Sequence, residues 1–167
     1  MKRKAERFAE KAHKGQWRKF EGQPFVEHPK AVASILTAVT AATDEMVAAA
    51  LLHDTVEDTG ATLSDIRSRF GDRVASLVKE LTTDKEKRDE YGKAAYLGRK
   101  MAGMSETALT IKLCDRYHNV HKIEETPESF GVRYSRETME TLSILLENRE
   151  LTDTQETVLN KIIDKVA

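Results

Sequence analysis

Hydrophobic residues recur at helical spacing along most of this chain, and strand-like alternation is absent. Residues 2–14 place Ala5, Phe8, Ala9 and Ala12 among charged residues, which predicts an amphipathic helix. Pro29 is expected at the first position of the next helix. That helix has its own core stripe, formed by Val32, Ala33, Ile35, Leu36 and Val39. The pattern predicts an all-α fold of about eight short helices in one bundle.

The later helices are separated by glycine, proline and polar residues. Thr43 or Asp44 is a candidate cap for a helix that runs to His53, and Thr62 with Asp65 matches a capping box. Residues 82–88 are polar and predict an exposed connection. The further predicted helices span residues 62–70, 74–81, 89–104, 107–123, 135–146 and 152–166.

The segment AALLHDTVEDT (49–59) carries the most unusual pattern. An apolar Ala/Leu run favours a helix and leads directly into His53 and Asp54, followed by Glu57 and Asp58. On a continuous helix, His53 and Glu57 would be neighbours, as would Asp54 and Asp58. One imidazole and three carboxylates would then crowd one end of an apolar helix. Because unpaired buried charge is costly, a divalent metal is the expected counter-charge.

Composition limits the class of protein. A chain of 167 residues, 40% hydrophobic and 33% charged, fits one globular domain over residues 1–167. The net charge of −1 argues against a general nucleic-acid or membrane-surface binder. The one cysteine, Cys114, cannot form an intrachain disulfide and is interpreted as a small hydrophobe. Without a signal-like or membrane-length apolar run, the expected location is the cytoplasm.

Positive charge is concentrated near the start of the chain. Residues 1–19 contain eight lysines and arginines but only two glutamates. The basic residues between Lys2 and Lys11 are interpreted as a solvated helix face. Arg18 and Lys19 lie on a predicted loop and are interpreted as anion binders, whereas the adjacent Trp17 is assigned to packing.

Two further segments complete a candidate metal site. His28 lies just before a predicted helix, and Asp115 lies on the apolar helix 107–123, four residues before Asn119. Together with His53 and Asp54, these residues give two imidazoles and two carboxylates. This mixed nitrogen and oxygen set suits a divalent ion such as Mn²⁺ with open positions for water. A closed zinc site would more typically use several cysteines.

These motifs resemble the HD-domain phosphohydrolases and, more narrowly, the hydrolase domain of the RelA/SpoT family and its stand-alone small alarmone hydrolases. The resemblance covers residues 12 to about 142. The matching segments are AHKGQWRK (12–19), PFVEHP (24–29), AALLHDTVEDT (49–59), FGDRVASLV (70–78), RKM (99–101), IKLCDRYHN (111–119) and SRETMETL (135–142).

The resemblance implies an all-α bundle around one Mn²⁺, with His28, His53, Asp54 and Asp115 as ligands. It implies that Glu57 and Asp58 act on the attacking water. Arg18 and Lys19 would line the nucleotide pocket, and Asn119 would lie near the ribose. From its position one helical turn before Asp115, Lys112 is also expected to meet a phosphate. The implied reaction removes the 3′-pyrophosphate from guanosine tetra- or pentaphosphate and yields GDP or GTP.

Two positions depart from the family pattern, and the substrate stays open. Phe25 replaces a usual tyrosine, and Lys122 stands where many relatives have threonine. Two alternative substrates are adenosine nucleotides with a 3′-pyrophosphate and NADPH, which would lose its 2′-phosphate. Their hydrolysis would need the same metal and basic pocket, so the motifs do not separate them from guanosine nucleotides. A silent nucleotide-binding regulatory module is an alternative of another class, but the Glu57–Asp58 pair argues against it. A purely structural helical module would bind no metal.

Overall fold

The computed structural model describes all residues, 1–167, and contains only helices and connections. This result confirms the predicted all-α class. No helix in it combines the length and the apolar character needed to cross a membrane. The helices are α1 (Lys2–Ala12), α2 (Glu27–Val39), α3 (Asp44–Leu52), α4 (Thr55–Asp58), α5 (Leu63–Phe70), α6 (Asp72–Leu81), α7 (Lys85–Tyr91), α8 (Lys93–Ala102), α9 (Glu106–Val120), α10 (Glu128–Asn148) and α11 (Asp153–Val166), with a 3₁₀ turn at Ile123–Glu125.

Several helix starts follow directly from local sequence. Thr62 accepts a hydrogen bond from the backbone of Asp65, whose carboxylate accepts one in return from the Thr62 backbone, as the capping box predicts. Thr152 and Gln155 form the same arrangement at α11. Thr43, one of two candidate caps, accepts from the backbone of Met46.

Other boundaries differ from the predictions. The weakly patterned helix 89–104 is interrupted at Gly92, which adopts φ 83° between α7 and α8. The predicted connection at 82–88 is partly wrong, because α7 begins within it at Lys85. The helix predicted at 135–146 begins seven residues earlier, after Pro127. Pro29 is the third rather than the first residue of α2, where a missing N–H still costs no helical hydrogen bond. The first turn of α7 is charged and has no apolar residue, and that of α10 contains Gly131, which explains the missed starts.

The chain forms two compact units, residues 1–82 and 83–167. In the first unit, α3 lies at the centre and contacts α1, α2 and α6. Ala48, Ala49 and Ala50 are fully buried, as are Ala5 and Ala9 of α1. Small side chains at this contact let the helix axes approach closely. The single-domain assignment of residues 1–167 stays a prediction.

In the second unit, the long helix α10 packs against α8, and α11 packs against α9. The α8–α10 contact is close at Gly98, where an added Cβ would lie 2.7 Å from Ile144 Cβ and 2.9 Å from the Thr141 carbonyl oxygen. The α9–α11 contact includes two hydrogen bonds from one side chain. Gln155 donates from Nε2 to the Glu106 carbonyl oxygen at 3.1 Å and to Thr110 Oγ1 at 3.2 Å.

We predict that Gly98→Ala destabilises the protein. The alanine gains about 1 kcal/mol of helix propensity, but overpacking against a backbone carbonyl costs about 1–3 kcal/mol. The midpoint of urea unfolding should therefore fall. Gly103→Ala is the matched control, because its added Cβ would meet nothing closer than 3.7 Å. Equal midpoints for the two variants would contradict the close α8–α10 contact.

Candidate metal centre

The helix that carries the His53–Asp54 doublet is interrupted at the doublet itself. α3 ends at Leu52, close to the predicted end at His53, two turn residues follow, and α4 begins at Thr55. The helix is therefore not continuous from His53 to Glu57. Two side chains bond to backbone carbonyls at this point. His53 Nδ1 bonds to the Ala50 oxygen at 2.7 Å, and Thr55 Oγ1 donates to the Leu52 oxygen at 2.7 Å. Such side-chain bonds compete with the helical ladder and favour its interruption.

The hydrogen bond of His53 determines what its other ring nitrogen can do. A carbonyl oxygen only accepts, so Nδ1 carries the proton in the bond to Ala50. In the neutral ring, Nε2 then presents a lone pair. The side chain is only 1% exposed, so its orientation is held by packing. This is the arrangement typical of a metal-binding histidine, whose second nitrogen is fixed by a backbone carbonyl.

His28 and Asp54 meet His53 at the same place. His28 is buried in the first turn of α2, rather than just before that helix. Asp54 Oδ2 lies 3.0 Å from His53 Nε2 and 3.5 Å from His28 Nε2. The ring centroids of the two histidines are 5.2 Å apart. The structure therefore brings together three of the four predicted ligands, all within the first unit.

This donor set fits a divalent cation. A neutral imidazole lone pair and a carboxylate oxygen 3.0 Å apart repel unless a positive charge lies beside them. A proton or a metal ion can supply that charge, and a metal ion satisfies both imidazoles and the carboxylate together. The ligands are nitrogen and oxygen atoms, which suit a borderline or hard divalent ion. The cluster could therefore hold such an ion.

Glu57 and Asp58 follow on α4, beside Asp54. The three side chains each offer a carboxylate oxygen, and these oxygens lie within 4.8 Å of one another. Asp58 is exposed, whereas Asp54 and Glu57 are half-buried. The break in the helix at His53 and Asp54 therefore does not separate the carboxylate of Asp54 from those of Glu57 and Asp58.

Asp115, Lys112 and Asn119 lie together on α9 in the second unit. Asp115 is 4% exposed. Its Oδ2 accepts from Lys112 Nζ at 2.8 Å, and its Oδ1 accepts from Asn119 Nδ2 at 2.9 Å. Each carboxylate oxygen has further lone-pair capacity. The two residues predicted to bind substrate thus also fix the orientation of a predicted metal ligand.

Arg18 and Lys19 lie on a structured loop. Its ends are tied by hydrogen bonds from the Arg18 N–H to the Gln23 carbonyl oxygen (2.8 Å) and from the Phe25 N–H to the Gln16 carbonyl oxygen (2.9 Å). Arg18 forms an ion pair with Glu21 at 2.9 Å, a partner that the sequence analysis did not identify. The packing assignment of Trp17 is wrong, because this side chain is 65% exposed.

Sequence reasoning missed His13 and Gln16. His13 is 2% exposed, and its Nδ1 lies 2.8 Å from Gln16 Oε1. Gln16 Nε2 in turn donates to the Asp58 carbonyl oxygen at 2.8 Å. Because Gln16 Oε1 can only accept, His13 Nδ1 is the donor. Their position in the segment AHKGQWRK, just before Arg18 and Lys19, could have indicated that they belong to the site.

His13 is buried close to His28, and the ring of Phe25 packs against both histidines. Desolvation lowers the pKa of His13, against an opposing effect of its hydrogen bond to Gln16. Phe25 lies between His13 and His28, with centroid separations of 4.7 and 5.8 Å. The ring that departs from the family tyrosine is thus part of the packing around the histidines.

Known proteins resemble this chain over most of its length. The HD-domain family model matches residues 5–150. The chain is 36% identical over 157 residues to human MESH1, named a guanosine-3′,5′-bis(diphosphate) 3′-pyrophosphohydrolase, which covers 89% of this chain and 84% of MESH1. It is 41% identical over 148 residues to the Escherichia coli bifunctional (p)ppGpp synthase/hydrolase SpoT, which covers 86% of this chain.

The relatives differ in length: some are much longer than this chain, and others are of similar length. The chain spans 16%, 18% and 21% of three long bacterial relatives, two GTP pyrophosphokinases and SpoT. A solved structure described as a metazoan orthologue of SpoT that hydrolyses ppGpp superimposes with a TM-score of 0.83 at 28% identity. That match covers 98% of this chain and 93% of the other. The chain therefore belongs to the HD-domain family, and within it to the RelA/SpoT-type branch that includes human MESH1.

Proposed function

We propose that this protein is a Mn²⁺-dependent hydrolase that removes the 3′-pyrophosphate from (p)ppGpp-type nucleotides, giving GDP or GTP and pyrophosphate. The observation that carries the proposal is the meeting of His28 and His53 Nε2 at one oxygen of Asp54. The names of human MESH1 and of the SpoT relatives support the choice of reaction.

We assign the metal to His28, His53, Asp54 and Asp115. The order of these residues in the family motif supports the set, and the two hydrogen bonds that orient Asp115 support its role as a ligand. When bound, the ion lowers the pKa of a coordinated water and polarises phosphoryl oxygens. Cys114 is not in the set, because burial raises the pKa of its thiol to about 12. This single buried thiol is also compatible with a reducing cytoplasm, where we place the enzyme.

In this proposal Glu57 and Asp58 make the site hydrolytic. Glu57 accepts a proton from the attacking water as its oxygen approaches phosphorus, and Asp58 orients that water. The closeness of both carboxylates to Asp54 supports this assignment. A domain that only bound nucleotides would gain nothing from a proton acceptor here, so the pair favours an enzyme over a regulatory module.

The remaining residues are assigned to the substrate. Arg18 and Lys19 are proposed to line the base and phosphate pocket, which requires the Arg18–Glu21 ion pair to open or to share its guanidinium. Lys112 is proposed to meet a phosphate and Asn119 the ribose. Because both already hold Asp115, substrate contact and metal orientation would be coupled through these two side chains.

A substrate panel tests the function. We expect purified protein with Mn²⁺ to release pyrophosphate from guanosine 3′,5′-bis(diphosphate), at a rate well above that in EDTA. The panel adds the adenosine analogue with a 3′-pyrophosphate and NADPH, measured as pyrophosphate or phosphate released. Faster turnover of either alternative would reassign the substrate while keeping the metal chemistry. No turnover of any of the three would reject the proposal.

We predict that Glu57→Gln lowers kcat about 10²- to 10⁴-fold, the usual contribution of general-base catalysis. Bound Mn²⁺, measured by elemental analysis after dialysis, should stay at the wild-type level because Glu57 is not a proposed ligand. Glu140→Gln, an exposed position on α10, is the control and should retain full activity. Loss of metal in Glu57→Gln would place this carboxylate among the ligands instead.

We predict that Gln16 is a positioning residue. Gln16→Leu removes the donor to the Asp58 carbonyl oxygen and the acceptor for His13. Displacement of the water-orienting carboxylate should lower kcat about 10- to 100-fold, with KM and bound metal nearly unchanged.

Two variants separate this role from a general effect on folding. Gln16→Glu keeps an acceptor for His13 but loses the donor to Asp58, so it should share the kcat defect. Gln23→Leu, in the same loop and exposed, should behave like wild type. Full activity of Gln16→Glu would show that the bond to Asp58 has no catalytic effect.

A further inference from the structure

A concave surface lies in the first unit, between α1 and the end of α5. This groove has a volume of about 560 Å³. Five basic residues line it, namely Arg3, Lys4, Arg7, Lys11 and Arg69. None of the proposed metal ligands, water-activating carboxylates or substrate-binding residues lies among its lining residues. The groove is therefore outside the site described above.

No carboxylate lines this basic groove. The two acidic residues of α1, Glu6 and Glu10, instead reach Lys30 of α2, at 3.9 and 2.8 Å. The negative charges of α1 are thus used on its other side. In a protein with a net charge of −1, the groove is a local concentration of positive charge. A concave surface lined by one sign of charge attracts the opposite sign.

Part of the groove is held in place by packing. Lys4 donates from Nζ to the Arg69 carbonyl oxygen at 3.0 Å, and the same ammonium lies 5.5 Å from the centroid of Phe70. The guanidinium of Arg69 lies 5.4 Å from the centroid of Phe8. The two phenylalanines pack edge to face at 5.7 Å. These contacts reduce the entropy that the two cations would lose when they bind an anion.

The other three cations form one row. Arg3, Arg7 and Lys11 are spaced four residues apart on α1, so they are neighbours along one face. All three are exposed, and none has an ion-pair partner. Like charges at this spacing destabilise a helix, and an anion bridging them would remove that repulsion.

We propose that the basic groove binds an oligophosphate, that is, two or more linked phosphates from inorganic polyphosphate or from the phosphate chain of a nucleotide. A row of cations along two turns of α1 matches several linked negative charges better than a single phosphate. The groove has the volume of a small-molecule site. Nucleic acid is disfavoured because binding of single strands uses free aromatic faces, whereas Phe8 and Phe70 already contact cations and each other.

Titration calorimetry with inorganic tripolyphosphate tests this proposal. The full chain is used in EDTA at low salt, so neither metal nor turnover enters, and the result is independent of the proposed function. We expect saturable binding that weakens steeply as salt is raised. The double variant Arg7→Ala with Lys11→Ala should bind about tenfold more weakly. The control, Lys85→Ala with Lys87→Ala on α7, removes the same charge elsewhere and should bind like wild type.

Further arms identify the site and the source of the phosphates. Arg18→Ala should leave tripolyphosphate affinity within about twofold of wild type, since Arg18 is outside the groove. Orthophosphate should bind far more weakly than tripolyphosphate. The ratio of affinities for GTP and tripolyphosphate, measured in the Arg18→Ala variant, tells a nucleotide ligand from free polyphosphate. Weaker binding of the tighter ligand when Arg7→Ala and Lys11→Ala are added supports the groove, and unchanged binding contradicts it.

Three outcomes would overturn the proposal. In the first, Arg18→Ala abolishes binding while the groove variant does not, which places the anion in the nucleotide pocket. In the second, the groove variant and the α7 control weaken binding equally, which shows non-specific attraction to net charge. In the third, a single-stranded oligonucleotide binds much more tightly than tripolyphosphate, which makes nucleic acid the ligand.

Discussion

The site depends on one electrostatic constraint, in which two imidazole nitrogens and one carboxylate oxygen converge where a helix is interrupted. His53 Nε2 and His28 Nε2 lie 3.0 and 3.5 Å from Asp54 Oδ2. The bond from His53 Nδ1 to a backbone carbonyl leaves its lone pair directed at that oxygen. Both histidines are buried, so water cannot screen the repulsion. A bound cation relieves this repulsion, and its binding free energy therefore also stabilises the first unit.

Small buried residues and side-chain hydrogen bonds position the residues around this site. The alanines of α1 and α3 allow close packing, which places His13 and Phe25 near the two histidines proposed to bind the metal. From there, Gln16 connects the loop that carries the basic pair to the backbone of Asp58. The proposed anion-binding loop and the proposed water-activating segment are thus linked by one amide side chain. In the second unit, Lys112 and Asn119 have a similar role because they orient Asp115 before any ligand arrives.

Charge is distributed unevenly over a nearly neutral chain. The carboxylates of the site gather at α4, whereas the cations gather along α1 and in the loop that follows it. Glu6 and Glu10 could have neutralised α1 but instead pair with Lys30. The net charge of −1 for the whole chain does not show that positive and negative residues lie in different places. Net charge therefore describes the protein as a whole, whereas local recognition depends on which face of a helix each residue occupies.

The sequence by itself determined the helical class, the capping box at Thr62, and the presence of the His-Asp motif, because these depend on residue spacing and local hydrogen bonds. Tertiary structure decided the rest. The interruption after Leu52 depends on how two side chains compete for backbone carbonyls. The start of α10 contains Gly131, which disfavours a helix in sequence although the fold accommodates it. His13 and Gln16 lie in the family-like segment 12–19, and Glu21 follows it, but their spacing along the chain assigns none of them a partner. Their roles arise from contacts across a fold, which residue spacing along one helix cannot reveal.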